Sequence, residues 1–241
     1  VVQRVRSAIE QIATVLNLDV LDDGWSTAPP VPHQYFGYSF RADVGAIRAL
    51  IDSLQEKAEL GRGRSERQRI IDTYNNRVSL LTLMYLAGTG SRPTGTVLPS
   101  KSDVSFIDRA AIVSEKDALS YRSTRLVPLT TRFIAQATEL ERWAKTKQLL
   151  PRNQGEDTPL VMLRSGDGNY IAPTITALKQ LVPGFAENWV WPDDMFRHLF
   201  RSRLSDLGCP SSWLRRTLGH HPPHGATDMP WNAKLQWDGL H

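Results

Sequence analysis

The chain has 241 residues, 41% of them hydrophobic and 22% charged, with 29 Lys and Arg against 25 Asp and Glu for a formal net charge of +4. That length and apolar content are enough for a sizeable core, in one large domain or in a medium domain with an appendage. No apolar run reaches about 18 residues, which excludes a membrane-spanning helix, and the single cysteine, Cys209, excludes an internal disulfide and fits a reducing cytoplasm.

Residues 1–17 read as an amphipathic helix, with Val5, Ile9, Ile12 and Leu16 spaced for one face. Residues 21–40 form a Pro- and aromatic-rich connector whose Trp25, Tyr35, Phe36 and Tyr38 could stack on bases or pack between helices. Asp43 can cap a helix carrying Ile47, Leu50, Ile51 and Leu54 that stops near Gly61. Gly61-Arg62-Gly63-Arg64 is the candidate boundary or hinge. A longer apolar helix follows over 65–87, with Ile70, Ile71, Val78, Leu81 and Met84, and stops at Gly88-Thr89-Gly90. Directly after it comes Ser91-Arg92-Pro93.

Residues 97–129 lose the helical period. The short runs Val104–Ile107, Ala111–Val113 and Arg125–Leu129 predict a small antiparallel sheet, with Lys116 on or near a hairpin. Helical spacing returns at 130–148 through Phe133, Ile134, Ala137, Leu140 and Trp143. A loop with Gly155, Gly166 and Gly168 leads to a helix over 172–182. Pro192-Asp193-Asp194 starts a further helix, with acids suited to its N-terminus, and Gly208 ends it. Ser211 or Ser212 caps a short helix through Trp213, Leu214 and Leu218, and the Pro-, Gly- and Trp-rich tail has no clear period. The expected fold class is α+β, mainly α-helical with a small antiparallel sheet.

The chemistry concentrates on Phe196-Arg197-His198-Leu199-Phe200-Arg201-Ser202-Arg203-Leu204. His198 and Arg201 are three apart, so both leave one helix face, while Leu199, Phe200 and Leu204 anchor the other. A guanidinium fork can grip two phosphate oxygens, and a neighbouring imidazole can hydrogen-bond or exchange a proton. The basic residues are also clustered, as Arg62, Arg64, Arg67 and Arg69 and as Arg197, Arg201, Arg203, Arg215 and Arg216. Such clusters fit a surface facing a polyanion, with a merely solvated face as the plain alternative.

In order, the polar signals are Arg92, Lys116, His198, Arg201 and His220, and here the chain resembles the catalytic domain of the tyrosine recombinase, or phage integrase, family. The matching features are Gly88-Thr89-Gly90-Ser91-Arg92, Lys116 before Arg125-Leu126-Val127-Pro128-Leu129, His198-Leu199-Phe200-Arg201, and Leu218-Gly219-His220. They cover roughly residues 65–225. The resemblance implies an N-terminal helical segment or linker over 1–61, part of a larger N-terminal region, and a catalytic domain over 62–241. It implies that Arg92 and Arg201 clamp the scissile phosphate, that Lys116 protonates the leaving 5′ oxygen, that His198 is a base or hydrogen-bond partner, and that His220 binds a phosphate oxygen. It further implies duplex DNA as partner, no metal or other cofactor, a tetramer on paired sites, and a cytoplasmic, nucleoid-associated protein of a mobile element. Arg62, Arg64, Arg197, Arg203, Arg215, Arg216 and His221 are the expected DNA contacts.

Two positions depart from the family. Gly95 stands where an acidic residue commonly follows the first arginine. The nucleophile normally lies about nine residues after the histidine matched by His220, but Met229 stands there and no tyrosine follows Tyr170. The nucleophile is therefore unassigned. It could lie beyond His241, have been replaced (Trp231 and Trp237 are the aromatic candidates), or be absent from a natural DNA-binding relative without cleavage activity. A weaker alternative is a metal-dependent nuclease built on His220, His221 and His224, since clustered imidazoles are common zinc ligands.

Overall fold

The computed structural model describes residues 49–54, 56, 65–114, 124–151, 155–189, 191–209, 211, 214, 217–219 and 231–232. Helix α1 (Glu66–Thr89) is the element around which the others pack. The Ser65 hydroxyl caps it by accepting from the Gln68 N–H at 3.2 Å, and Glu66 occupies the first turn, where the helix dipole favours an acid. From Val78 to Thr89 every residue is buried, so this half of α1 is enclosed by protein rather than laid on a surface. Its hydroxyls survive burial because they bond the helix's own backbone, Thr82 to the Val78 carbonyl at 2.8 Å and Thr89 to the Tyr85 carbonyl at 2.7 Å. The helix stops where the sequence expects. Gly90 takes φ 60° and its N–H closes on the Leu86 carbonyl at 2.9 Å.

Beyond α1 the chain forms β1 (Val104–Ser105), β2 (Ala110–Ser114) and β3 (Thr124–Pro128), an antiparallel meander with Ala111 opposite Val127. Period-two alternation buries Arg125 and Val127 and leaves Leu126 and Pro128 half-buried. Arg125 lies on the core side of β3 at 1% exposure. Helix α2 (Thr131–Thr146) is capped by Thr130 and buries Phe133, Ala137, Leu140 and Ala144 at helical spacing. It lies against α1, where Tyr85 and Phe133 have ring centroids 5.8 Å apart and the Arg77 guanidinium sits 4.8 Å over Trp143.

The glycine-containing loop expected after α2 holds a hairpin, β4 (Leu163–Arg164) and β5 (Tyr170–Ile171), too short for any periodicity to announce. Helices α3 (Ile175–Leu181), α4 (Phe185–Asn188) and α5 (Met195–Asp206) follow. Trp189 joins the last two, stacked on Phe185 at 5.3 Å and tilted against Phe196 at 6.0 Å. The tail returns as β6 (Trp231–Asn232), parallel to β3, giving the sheet order β1-β2-β3-β6.

One continuous apolar core holds α1, α2, α3 and α5 together, and each fully buried Leu or Phe contributes about 1.5–3 kcal/mol. Leu50, Ile51 and Leu54, on the N-terminal side of the expected hinge at 61–64, belong to this same core. The architecture is α+β: mainly helical, with a small sheet whose meander is antiparallel. Among the described residues no helix is long and apolar enough to cross a membrane.

Candidate active site

The site is built where α1 ends and α5 crosses it. Past the left-handed Gly90 the chain is braced by hydroxyls. Thr89 Oγ1 and Ser91 Oγ lie 2.7 Å apart, and the Ser91 N–H reaches Thr89 Oγ1 at 3.3 Å, with both residues buried. Arg92 therefore leaves from a turn fixed on its core side, and is itself half-buried. Gly90 is required twice over. Its φ of 60° disfavours any side chain, and a Cβ there would lie 2.5 Å from Phe200 Cδ1 and 3.2 Å from Leu218 Cδ2. The α1 terminus, α5 and the turn at Leu218-Gly219 thus meet in van der Waals contact.

Arg197 fastens that meeting point. Its guanidinium donates Nη1–H to the Gly90 carbonyl at 2.7 Å and Nη2–H to the Leu218 carbonyl, and the residue is 7% exposed. These bonds link segments 107 and 21 residues away in sequence. The expectation that Arg197 contacts DNA is corrected. Phe196, Phe200 and Leu204 turn the Arg197 side of α5 into the core, and the fork is engaged on backbone carbonyls there.

On the outward face of α5, His198 is exposed and its Nε2 lies 3.0 Å from Asp194 Oδ2, an i,i+4 pair. Asp194 is the helix N-cap residue but makes no capping bond with its side chain, which is engaged with the imidazole instead. A carboxylate on Nε2 favours the tautomer protonated there and leaves Nδ1 as the acceptor. Arg201, one turn further along this face, is half-buried, and Ser202 beside it is exposed. Arg203 is half-buried, with Nη1 4.0 Å from Asp206 Oδ2, a separation at which an exposed pair contributes little.

Of the expected catalytic residues, the structure describes Arg92, His198 and Arg201, and it brings their segments together through Gly90, Phe200 and Arg197. Lys116, His220, Arg62, Arg64, Arg215, Arg216, His221 and His224 lie outside the described residues, as does the connector at 21–40. Lys116 falls between β2 and β3, and His220 directly follows Gly219, whose φ is 70°. Arg67 and Arg69 are exposed at the N-terminal end of α1, and Arg69 is about 30 Å along the helix from Gly90 at 1.5 Å per residue. Two contributors escaped the sequence reading, Asp194 as the partner of His198 and Arg197 as the internal clamp. The first was findable from its i,i+4 spacing.

Cys209, half-buried just past α5, has its thiol pushed up to about 11 by burial, which keeps it protonated at neutral pH and unreactive. Among the described residues no group of three His, Cys, Asp or Glu side chains could hold a metal ion. No family model, no curated protein and no solved structure matches this chain.

Proposed function

We propose that this chain is a DNA strand-transfer enzyme of the tyrosine-recombinase type, performing site-specific recombination or integration by metal-free transesterification of duplex DNA. The observation that carries the reading is the Arg197 clamp. It draws the turn that carries Arg92, the helix that carries His198 and Arg201, and the turn that precedes His220 to one place, although these segments are far apart in the chain. Such convergence is what a single phosphate site requires and what unrelated surface arginines would not need.

In this reading Arg92 and Arg201 hold the non-bridging oxygens of the scissile phosphate and stabilise the charge that builds on the pentavalent transition state. A tyrosine oxygen attacks phosphorus as its proton passes to the His198 imidazole, the bond to the 5′ oxygen breaks, and Lys116 delivers a proton to that oxygen. Asp194 holds the His198 ring so that its second nitrogen faces the phosphate, and His220 bonds a phosphate oxygen. The 3′-phosphotyrosine conserves the bond energy for rejoining, and paired sites bring four copies together.

A second reading is a recombinase-like DNA-binding protein that keeps the phosphate pocket without a nucleophile. It is favoured by one fact, that Met229 stands nine residues after His220, where the resemblance places the nucleophile. The deciding experiment uses protein from the complete reading frame and a pool of duplexes of randomised sequence, each nicked so that the short 5′ fragment is lost after cleavage. With chelator present, a denaturant-resistant protein–DNA band is the expected result, and peptide mapping then locates the tyrosine. Retained duplex binding without a band selects the nucleophile-less protein. Activity that appears only with divalent metal selects a nuclease, and neither binding nor cleavage removes the recombinase reading altogether.

A further inference from the structure

A pocket of about 360 Å³ lies at the other end of α1, between its first turns, the β4–β5 hairpin and the turn joining α3 to α4. Asp72, which lines it, stands about 27 Å along the helix from Gly90. The residue is 7% exposed, and its carboxylate accepts one hydrogen bond, Oδ1 from Gln68 Nε2 at 2.8 Å. Two carboxylate oxygens can accept about four. Among the described residues no Lys or Arg forms an ion pair with it. The polar neighbour one turn on, Asn75, is fully committed elsewhere, bonding both the N–H and the carbonyl of Arg164.

The second carboxylate oxygen, Oδ2, makes no hydrogen bond and is open to the pocket, where an entering donor can complete it. Burial holds the Asp72 carboxyl above the usual carboxylate range, with the Gln68 bond only partly opposing this. A bound cation would reverse that shift. Ile71, Val182 and Pro183 give the pocket an apolar wall beside the carboxylate, and Glu187 adds a second acid to its lining. The two bases in the lining are engaged elsewhere, the Lys179 ammonium 2.9 Å from Asp193 and the Arg164 guanidinium on the Gln148 carbonyl at 3.3 Å and over the Tyr170 ring.

We infer that this pocket is a binding site for a small aliphatic amine, whose ammonium group completes the Asp72 carboxylate while its hydrocarbon chain lies along Ile71, Val182 and Pro183. A charged donor on a buried carboxylate gives a short, strong bond, and the apolar wall discriminates against hydrated inorganic cations. The site is independent of the phosphate chemistry at the far end of α1 and stands or falls separately from it.

The test is calorimetric titration of the whole chain with 1,4-diaminobutane, against 1,4-butanediol as its uncharged counterpart, at about 0.15 M salt to screen loose binding to surface acids. Saturable one-to-one binding of the diamine alone is expected. Asp72→Asn, which keeps the Gln68 contact, should weaken it at least ~10-fold, the size of one charge-assisted hydrogen bond. Pro183→Trp, at the exposed rim, should weaken it too while leaving Asp72 in place, which covers the case in which Asp72→Asn fails to fold. Absence of saturable diamine binding overturns the inference, as does equal binding of the diol or undiminished binding by folded Asp72→Asn.

Discussion

The two ends of α1 treat buried polar groups in opposite ways. At the C-terminal end they are spent on architecture. The Gly90 and Leu218 carbonyls share the Arg197 guanidinium, Thr89 and Ser91 close on each other, and His198, exposed on α5, is paired with Asp194. At the N-terminal end Asn75 is satisfied but Asp72, one turn before it, is left with one bond beside an open pocket. The contrast separates two uses of polarity on one helix. Saturated groups fix chain segments relative to one another, whereas an undersaturated group marks a place where a ligand can enter.

The largest effect should come from removing the clamp. Arg197→Ala leaves two buried carbonyls without their charged donor and is expected to cost at least about 3 kcal/mol of unfolding free energy, measured by urea titration. Unchanged stability would falsify the clamp. Close behind is Gly90→Ala, where a left-handed residue and a Cβ 2.5 Å from Phe200 together should cost about 3 kcal/mol. Phe200→Leu in the same chain should recover part of that loss, and no recovery would mean that backbone strain alone is responsible.

Arg201→Ala sharpens the comparison by acting on chemistry instead of folding. On the proposed function it lowers the cleavage rate at least ~100-fold, as the loss of one transition-state donor does, with a smaller shift of the urea midpoint than Arg197→Ala. A normal rate would show that α5 carries no phosphate ligand at this position. At the opposite end, Asn75→Ala should cost about 1–3 kcal/mol, because its amide stands in for a neighbouring strand by bonding both backbone groups of Arg164 on the open edge of β4.

The smallest effect is expected at Asp72, and its sign depends on pH. The folded-state pKa is raised by burial, so the protonated form is the one the fold favours. Its contribution is fully present below the unfolded pKa of about 3.9 and is lost as pH rises through the folded value. Asp72→Asn cannot ionise. Without amine it should therefore be more stable than the parent at neutral pH, with the gap closing below about pH 3. A gap independent of pH would mean that the carboxylate is solvated through the pocket rather than desolvated.

Much of the fold was legible in the sequence because its signals are local. The helices expected over 65–87, 130–148 and 172–182 form at Glu66–Thr89, Thr131–Thr146 and Ile175–Leu181, Gly90 and Gly208 mark the expected stops, and the short runs at Val104, Ala111 and Val127 lie in strands. The β4–β5 hairpin and β6 escaped because two-residue strands have no period, and β6 exists only by pairing with β3 across more than a hundred residues of intervening chain. His198 and Arg201 were legible as neighbours on one face. Arg197 was read as one more basic residue, since composition does not distinguish a guanidinium facing solvent from one facing a carbonyl.

By itself, then, the sequence determined the longer helices, the stops at Gly90 and Gly208, the antiparallel meander and the three-residue spacing of His198 and Arg201 on one helix, all of which depend on residues within a few positions of each other. Tertiary structure alone decided that Arg197 is the internal arginine of α5, while Arg201 and Arg203 are half-buried. It also decided that Gly90 must accept Phe200 and Leu218 at close range, and that Asp72 lies buried at the edge of a pocket. Each of those outcomes depends on desolvation by atoms from distant parts of the chain, and desolvation is a property of the packed molecule rather than of any stretch of its sequence.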